Sequence, residues 1–348
     1  MAEVATADFA DYLAGATVLV TGAGGSLGAA LCGQLTRLGV GKLVLVDQAE
    51  AALAELAAAL RDDYGFTDSV AVLADIRSAR RVMEIFGRHR PVVVFHAAAN
   101  KHVPLVEAHP LEGVASNILG TEHMVEAARR FGVECFVLFS TDKAVQPTSV
   151  LGQTKGVAEW LVAAAGREAS DGRYAAVRLG NVVDSAGSVL PLFRRQVARG
   201  GPLTVTHPDM TRYLMTASEA AGLAIVAGAL ADSSGIFWLD LGPPVHVLTL
   251  VRRLTRSAPV EVPIDFVGLR AGERLHEHML WVDDDVEATP CARVFRSNLR
   301  HVERRWLEAS IAALQRHVDR ASEREVRTQL AGMHGASHQR LAVAGAAR

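Results

Sequence analysis

The chain has 348 residues, half of them apolar and 21% charged, which suits one large α/β unit with a smaller lobe. Its net charge of −2, with both signs mixed along the chain, offers no basic stripe to nucleic acid. Arginine pairs such as Arg80–Arg81, Arg129–Arg130 and Arg304–Arg305 fall in helix-like surroundings and read as solvated helix faces. Cys32, Cys135 and Cys291 are scattered, which indicates a reducing compartment and no disulfide frame. Neither CxxC nor HExxH occurs, and His276 and His278, two apart on a predicted helix, point in different directions, so no metal site is expected. The N-terminus lacks a signal peptide's basic start and apolar core, and no apolar run approaches the roughly 20 residues of a membrane span. A cytosolic protein is expected.

After a lead-in over residues 1–15, short β-branched runs alternate with longer Ala/Leu/Glu stretches. The predicted strands are Thr17–Thr21, Lys42–Asp47, Val70–Ala74, Val92–His96, Cys135–Ser140 and Ala175–Leu179. Nearly all their residues are apolar, as strands buried on both faces require. Helices are predicted over Leu27–Leu38, Ala49–Arg61, Ser78–Arg88, Gly120–Phe131 and Gly152–Gly166. This alternation predicts an α/β fold with a Rossmann-type, doubly wound parallel sheet over residues 16–180. Beyond Gly180 the rhythm breaks into Gly-, Pro- and Ser-containing loops, two helices and a strand at Ile236–Leu241. Residues 181–332 are therefore expected to form a smaller C-terminal substrate-binding lobe, with segments returning to the main sheet. A helix from about Glu303 to His317 would finish the fold, and residues 333–348, rich in Ala, Gly and His, would be a frayed tail.

The first strand runs into Gly22-Ala23-Gly24-Gly25-Ser26-Leu27-Gly28, a GxxGxxG spacing. Gly22 permits a tight turn, Gly25 admits a pyrophosphate to the backbone, and Gly28 lets the helix pack on the sheet with its N-terminus facing the phosphates. Such turns are common, but this one is the first βα turn, where a dinucleotide needs it. The next strand ends in Asp47, about 20 residues on, where an acid hydrogen-bonds the adenosine ribose. A carboxylate there repels a 2′-phosphate, so NAD is expected over NADP; the plainer alternative is a helix-capping Asp. Asp75-Ile76, after the third strand, would border the adenine. Ala97 and Ala98, in the run His96-Ala97-Ala98-Ala99-Asn100, leave room for a flat group, although core packing explains them nearly as well.

Five stretches, LVTGAGGSLG, VVFHAAANKHVPLVEAHP, FVLFSTDKAVQPTSVLGQTK, RLGNVVDSAGSVLPLF with VTHPDMTRYLMT, and GLRAGERLHE, resemble the CapD-type polysaccharide biosynthesis family of extended short-chain dehydrogenases. The likeness runs from about Tyr12 to the helix predicted near His317. It implies NAD-dependent dehydration of UDP-N-acetylglucosamine to a 4-keto-6-deoxy sugar. It also implies self-association, and likeness to the short soluble form of a family in which many members carry preceding membrane helices. By this resemblance Asp142 is the acid that protonates the departing 6-hydroxyl, and Lys143 the base that takes the C5 proton. Lys155 orients the nicotinamide ribose, Thr141 lies near the sugar's C4 oxygen, and Arg212 binds the diphosphate. Lys101, Asn181, Val189, Leu190, Arg270 and Glu273 line the uridine and sugar cleft.

The chemistry is self-consistent. Oxidising the 4-hydroxyl acidifies the C5 hydrogen, and an acid beside a base at a strand's C-terminal end can expel water across C5–C6. A lysine base must be held neutral, which desolvation and neighbouring cations can do. The plainer reading of Asp142–Lys143 is a surface ion pair. The sequence departs from the short-chain dehydrogenase Tyr-x-x-x-Lys signature, since Leu151 stands four before Lys155 and cannot accept a proton. Thr141 through a water, Asp142, or a group that the sequence does not identify would have to deprotonate the 4-hydroxyl. Asn100, Asp184 and Ala186 also differ from the family's pattern, around the sugar. Besides the dehydratase, an epimerase or dehydrogenase of the same fold and a catalytically silent NAD-binding protein fit these residues.

Overall fold

The computed structural model describes residues 4–345 apart from 170–171, 233, 257–261, 299 and 301, and of residues 337–345 only the backbone. Six parallel strands follow the predicted rhythm within a residue or two: β1 (Thr17–Thr21), β2 (Lys42–Asp47), β3 (Ser69–Leu73), β4 (Val93–His96), β5 (Cys135–Thr141) and β6 (Arg173–Leu179). The strand Gly235–Leu239 returns beside β6 in parallel, as the sequence suggested. Two short antiparallel strands, Val294–Ser297 and Glu287–Ala288, complete that edge and were not anticipated. From that edge inward the order is Glu287–Ala288, Val294–Ser297, Gly235–Leu239, β6, β5, β4, β1, β2, β3. The chain winds outward from β1 to β3 and then crosses back to β4, so a crevice opens at the C-terminal ends of β1 and β4, where such sheets bind ligands.

Helices cover both faces. On one lie α1 (Ser26–Leu35), α2 (Glu50–Asp62) and the helix Ala217–Leu230; on the other lie α3 (Ala79–His89), α6 (Gly120–Arg130) and α7 (Val150–Glu168). Both faces of β1, β2, β4, β5 and β6 are thus dry, which explains why these strands read as unbroken apolar runs, while the edge strand β3 leaves Ala71 and Leu73 exposed. Two short helices absent from the sequence reading, α4 (Val103–Ala108) and α5 (Pro110–Val114), run after β4, each with a proline in its first turn. The smaller lobe has its own core of Phe193, Leu203, Val205, Met210, Val247, Val251 and Val262. After β6 come three helices, Val189–Ala198, Ala217–Leu230 and Val247–Thr255, where two were predicted, and of these Ala217–Leu230 packs on the main sheet.

The end of the chain corrects the sequence reading. The helix Arg304–Asp319 does not finish the fold: Glu323–Gly345 is helical, so the expected frayed tail is helix to residue 345. Val326, Leu330 and Met333, spaced by four and three, bury against α5 and α7 with Leu307, Ile311 and Leu314. Residues 346–348 lie outside the described residues. None of the described helices is long and apolar enough to cross a membrane.

Candidate active site

The glycine turn is built as the spacing predicts. Gly22 has φ +64°, and a side-chain carbon on it would lie 2.8 Å from the Ala98 nitrogen and 2.9 Å from the Ala97 carbonyl carbon. One on Gly28 would lie 2.2 Å from the Gly22 oxygen. Backbone blocks both positions, so only glycine fits. Gly25 caps α1, and Ser26 and Leu27 form its first turn. Asp47 Oδ2 accepts from the Gly24 N–H at 2.9 Å and Oδ1 from that of Ala49, so the carboxylate is held against the turn at the end of β2. Gly22, Gly25, Ser26, Leu27, Gly28, Asp47, Ala97 and Ala98 therefore converge at one end of β1, β2 and β4. This cradle fits a dinucleotide: backbone without side chains for phosphates, an acid for a ribose. Asp75 is engaged differently. Burial raises its carboxyl, but hydrogen bonds from Arg77 outweigh that and hold it below the ordinary range. Ile76 is buried and packs on Gly120.

Beneath the turn, His96 bridges the Thr21 hydroxyl (2.7 Å) and the Thr121 hydroxyl (3.0 Å). Burial, reinforced by Lys155, pushes it down to about 3, so it stays neutral and structural. Lys155 is buried on α7, and desolvation pushes its ammonium down to about 8. One turn earlier, Leu151 is buried among apolar side chains. Gly152 allows α7 to start hard against the preceding turn, since a side-chain carbon there would sit 2.1 Å from the Lys143 carbonyl oxygen.

That turn, Asp142–Ala144 directly after β5, carries Asp142 and Lys143. Asp142 is fully buried, which excludes a surface ion pair. Its Oδ1 accepts from the Thr141 hydroxyl and from Lys143 Nζ, each at 2.9 Å, while Oδ2 is buried without a partner. Lys143 Nζ also donates to Asn181 Oδ1 at 3.3 Å and faces Glu277 Oε1 at 3.6 Å. The expectation of neighbouring cations around Lys143 is thus corrected: its partners are the carboxylates of Asp142 and Glu277 and the amide of Asn181. Glu277 was missed. It lies within GLRAGERLHE, but the segment around it is irregular and not the helix predicted for His276 and His278, so no periodicity marked it.

The remaining residues frame this cluster. Arg212 is buried and donates to the carbonyls of Thr211, Arg274 and Leu275. Among the described residues it forms no ion pair, which leaves a buried cation available to an anionic group. Arg274, also missed, ties its loop to Thr148 and the Val145 carbonyl. Glu273 accepts from the Arg270 N–H at 3.0 Å, so this pair braces the loop. Val189 and Leu190 open the helix after Ser188, whose hydroxyl is buried without a partner. Lys101 sits exposed past β4, where partial desolvation by its surroundings lowers its ammonium. The loop at 183–188 bridges these parts: Ala186 N–H donates to Ser26 Oγ, and Gly187 rests on His102. Among the described residues no cluster could hold a metal.

Comparison with known proteins agrees with this architecture. Residues 18–299 match the family described as polysaccharide biosynthesis protein. The chain is 41% identical over 289 residues to the capsular polysaccharide biosynthesis protein CapD of Staphylococcus aureus, covering 82% of this chain but only 48% of that protein. It is 35% identical over 226 residues to a UDP-glucose 4-epimerase of Rickettsia canadensis, covering 64% of this chain and 65% of the epimerase. The X-ray structure of Pen from Bacillus thuringiensis superposes with a TM-score of 0.76 at 29% identity, covering 82% of this chain and 88% of Pen. The chain spans about half the length of CapD. With its fold, its glycine turn and its Asp142–Lys143 cluster in place, the chain belongs to the polysaccharide biosynthesis protein family.

Proposed function

We propose that the protein is an NAD-dependent nucleotide-sugar 4,6-dehydratase acting on UDP-N-acetylglucosamine. The observation that carries this reading is the buried Asp142, joined through Oδ1 to Thr141 and Lys143 and bare at Oδ2, at the C-terminal end of β5. Residues 16–180 would hold the cofactor and 181–332 the sugar nucleotide, with Arg212 against the diphosphate and Asn181, Val189 and Leu190 along the cleft. NAD, favoured by Asp47, would accept hydride from C4 and return it to C6. Lys155 would orient its ribose.

The protein's own groups handle the protons. The Thr141 hydroxyl would pass the 4-hydroxyl proton, which Leu151 cannot take, to a water, so that Asp142 keeps its capacity for the proton that Lys143 gives up. Asp142 would protonate the departing 6-hydroxyl, and Lys143, once it has given up its proton, would accept the one from C5. A second reading, 4-epimerisation without elimination, is favoured by the Rickettsia relative. Variants separate the two. In Lys143→Met, sugar-dependent reduction of bound NAD should persist while exchange of the C5 hydrogen is lost. Asp142→Asn should keep that exchange but slow release of water, and each loss should be about 100- to 10,000-fold in turnover. Wild-type turnover in both variants refutes the dehydratase.

A further inference from the structure

The Asp142–Lys143 pair has a third ionisable neighbour. Glu277 is 5% exposed and directs Oε1 at Lys143 Nζ from 3.6 Å. Two oxygens of this cluster, Asp142 Oδ2 and Glu277 Oε2, are sealed from solvent without a donor. Two sealed carboxylates around one ammonium carry excess negative charge, and each bare oxygen forfeits its hydration. The nearby arginines do not relieve this by contact: among the described residues neither Arg212 nor Arg274 forms an ion pair with these carboxylates, and their hydrogen bonds go to carbonyls and to Thr148. A single proton removes the imbalance. Asp142 Oδ1 already accepts from the Thr141 hydroxyl and the Lys143 ammonium at 2.9 Å, whereas Glu277 has only the longer contact. The proton therefore belongs on Glu277.

We propose that Glu277 stands protonated beside Lys143 and, by carrying no charge there, leaves the lysine able to hand its proton to Asp142. This is a positioning role, and it rests on the elimination chemistry proposed above. In the transfer one N–H bond of the Lys143 ammonium breaks and one O–H bond forms on Asp142, with no change of oxidation state. The shift creates the acid and the base of the elimination together. An ionised carboxylate 3.6 Å from Nζ would hold the proton on the lysine and oppose it. The groups facing Glu277 agree in sum: burial pushes its carboxyl up most and the Asp142 charge adds to this, against Lys143, Arg212 and Arg274. Its chain neighbours His276 and His278 are exposed, with His276 Nδ1 2.8 Å from the Thr211 hydroxyl.

Infrared spectroscopy of the whole protein without substrate tests this directly. A protonated-carboxyl band, clear of the amide absorption, should persist above the ordinary glutamate range and bleach as pH rises further. It should shift when glutamate carboxyls carry carbon-13 and be absent from Glu277→Gln. A wild type without the band, a band indifferent to the label, or one retained in Glu277→Gln overturns the proposal. Because burial also raises the Glu122 carboxyl, the spectra are taken on a Glu122→Gln background, where the labelled protein decides even if Glu277→Gln does not fold. This arm reads Glu277 whether or not the protein proves to be a dehydratase. In turnover, wild-type kcat should fall about tenfold per pH unit beyond the same midpoint. That limb should be missing from Glu277→Gln whatever the height of its plateau; an unchanged limb overturns the role.

Discussion

Lys155→Met should stabilise the cofactor-free protein while abolishing its chemistry. Lys155 is 4% exposed on α7, and burial brings its ammonium from 10.5 to about 8. That gap of roughly 2.5 pH units, at about 1.36 kcal/mol each, means that keeping the lysine charged in the fold costs on the order of 3 kcal/mol. Because the folded-state value lies below the unfolded one, this cost is fully present below about pH 8 and is relieved as pH rises toward 10.5. Methionine nearly matches the volume and carries no charge to desolvate, and such replacements gain about 1–4 kcal/mol elsewhere. Urea denaturation of both apo-proteins at pH 7 should therefore favour the variant by about 1–3 kcal/mol. The advantage should shrink in parallel measurements above pH 8. NAD should stabilise the wild type more than the variant, since binding to the native state adds to stability. A variant less stable than the wild type at pH 7, or a difference that does not change with pH, would show that Lys155 is not a strained buried cation.

Two further outcomes follow from the geometry. Asp47→Ala removes the acceptor of the Gly24 N–H as well as the ribose partner, so the dissociation constant for NAD should rise about tenfold or more while that for NADP changes less; equal shifts, measured by titration, argue against the ribose assignment. Deleting residues 323–348 uncovers the apolar seam under Val326, Leu330 and Met333 and cuts the Arg327–Glu107 ion pair, whose other carboxylate oxygen caps α7 at Val150. The truncated protein should lose several kcal/mol of stability in denaturant, or become insoluble, and an unchanged midpoint would mean that the helix is dispensable.

What the sequence revealed follows from how each element is buried. Strands dry on both faces leave continuous apolar runs, so β1, β2, β4, β5 and β6 could be read within a residue or two, and Gly235–Leu239 could be recognised as returning to the sheet; the edge strand β3 was legible from its apolar run although Ala71 and Leu73 are exposed. At the other edge Val294–Ser297 is only partly buried and Glu287–Ala288 is exposed, so neither left such a run. The C-terminal helix was misread because its Ala, Gly and His content suggests fraying, although Val326, Leu330 and Met333 already had helical spacing. At the candidate site, Asp142 and Lys143 were singled out by the family resemblance and by their place directly after a core strand. Glu277 and Arg274 were not, because they stand in an irregular loop whose meaning depends on a contact with a distant turn. The same contact reversed the expected surroundings of Lys143, which chain order could not disclose.

The central claim is elimination across C5–C6, and proton NMR of purified protein with UDP-N-acetylglucosamine and NAD in deuterated water tests it most directly. The account predicts a product whose C6 has become a methyl group, whose C4 is a ketone or its hydrate, and whose C5 carries deuterium from solvent. A product that keeps its 6-hydroxyl and its C5 hydrogen, inverted at C4 or unchanged, would contradict it.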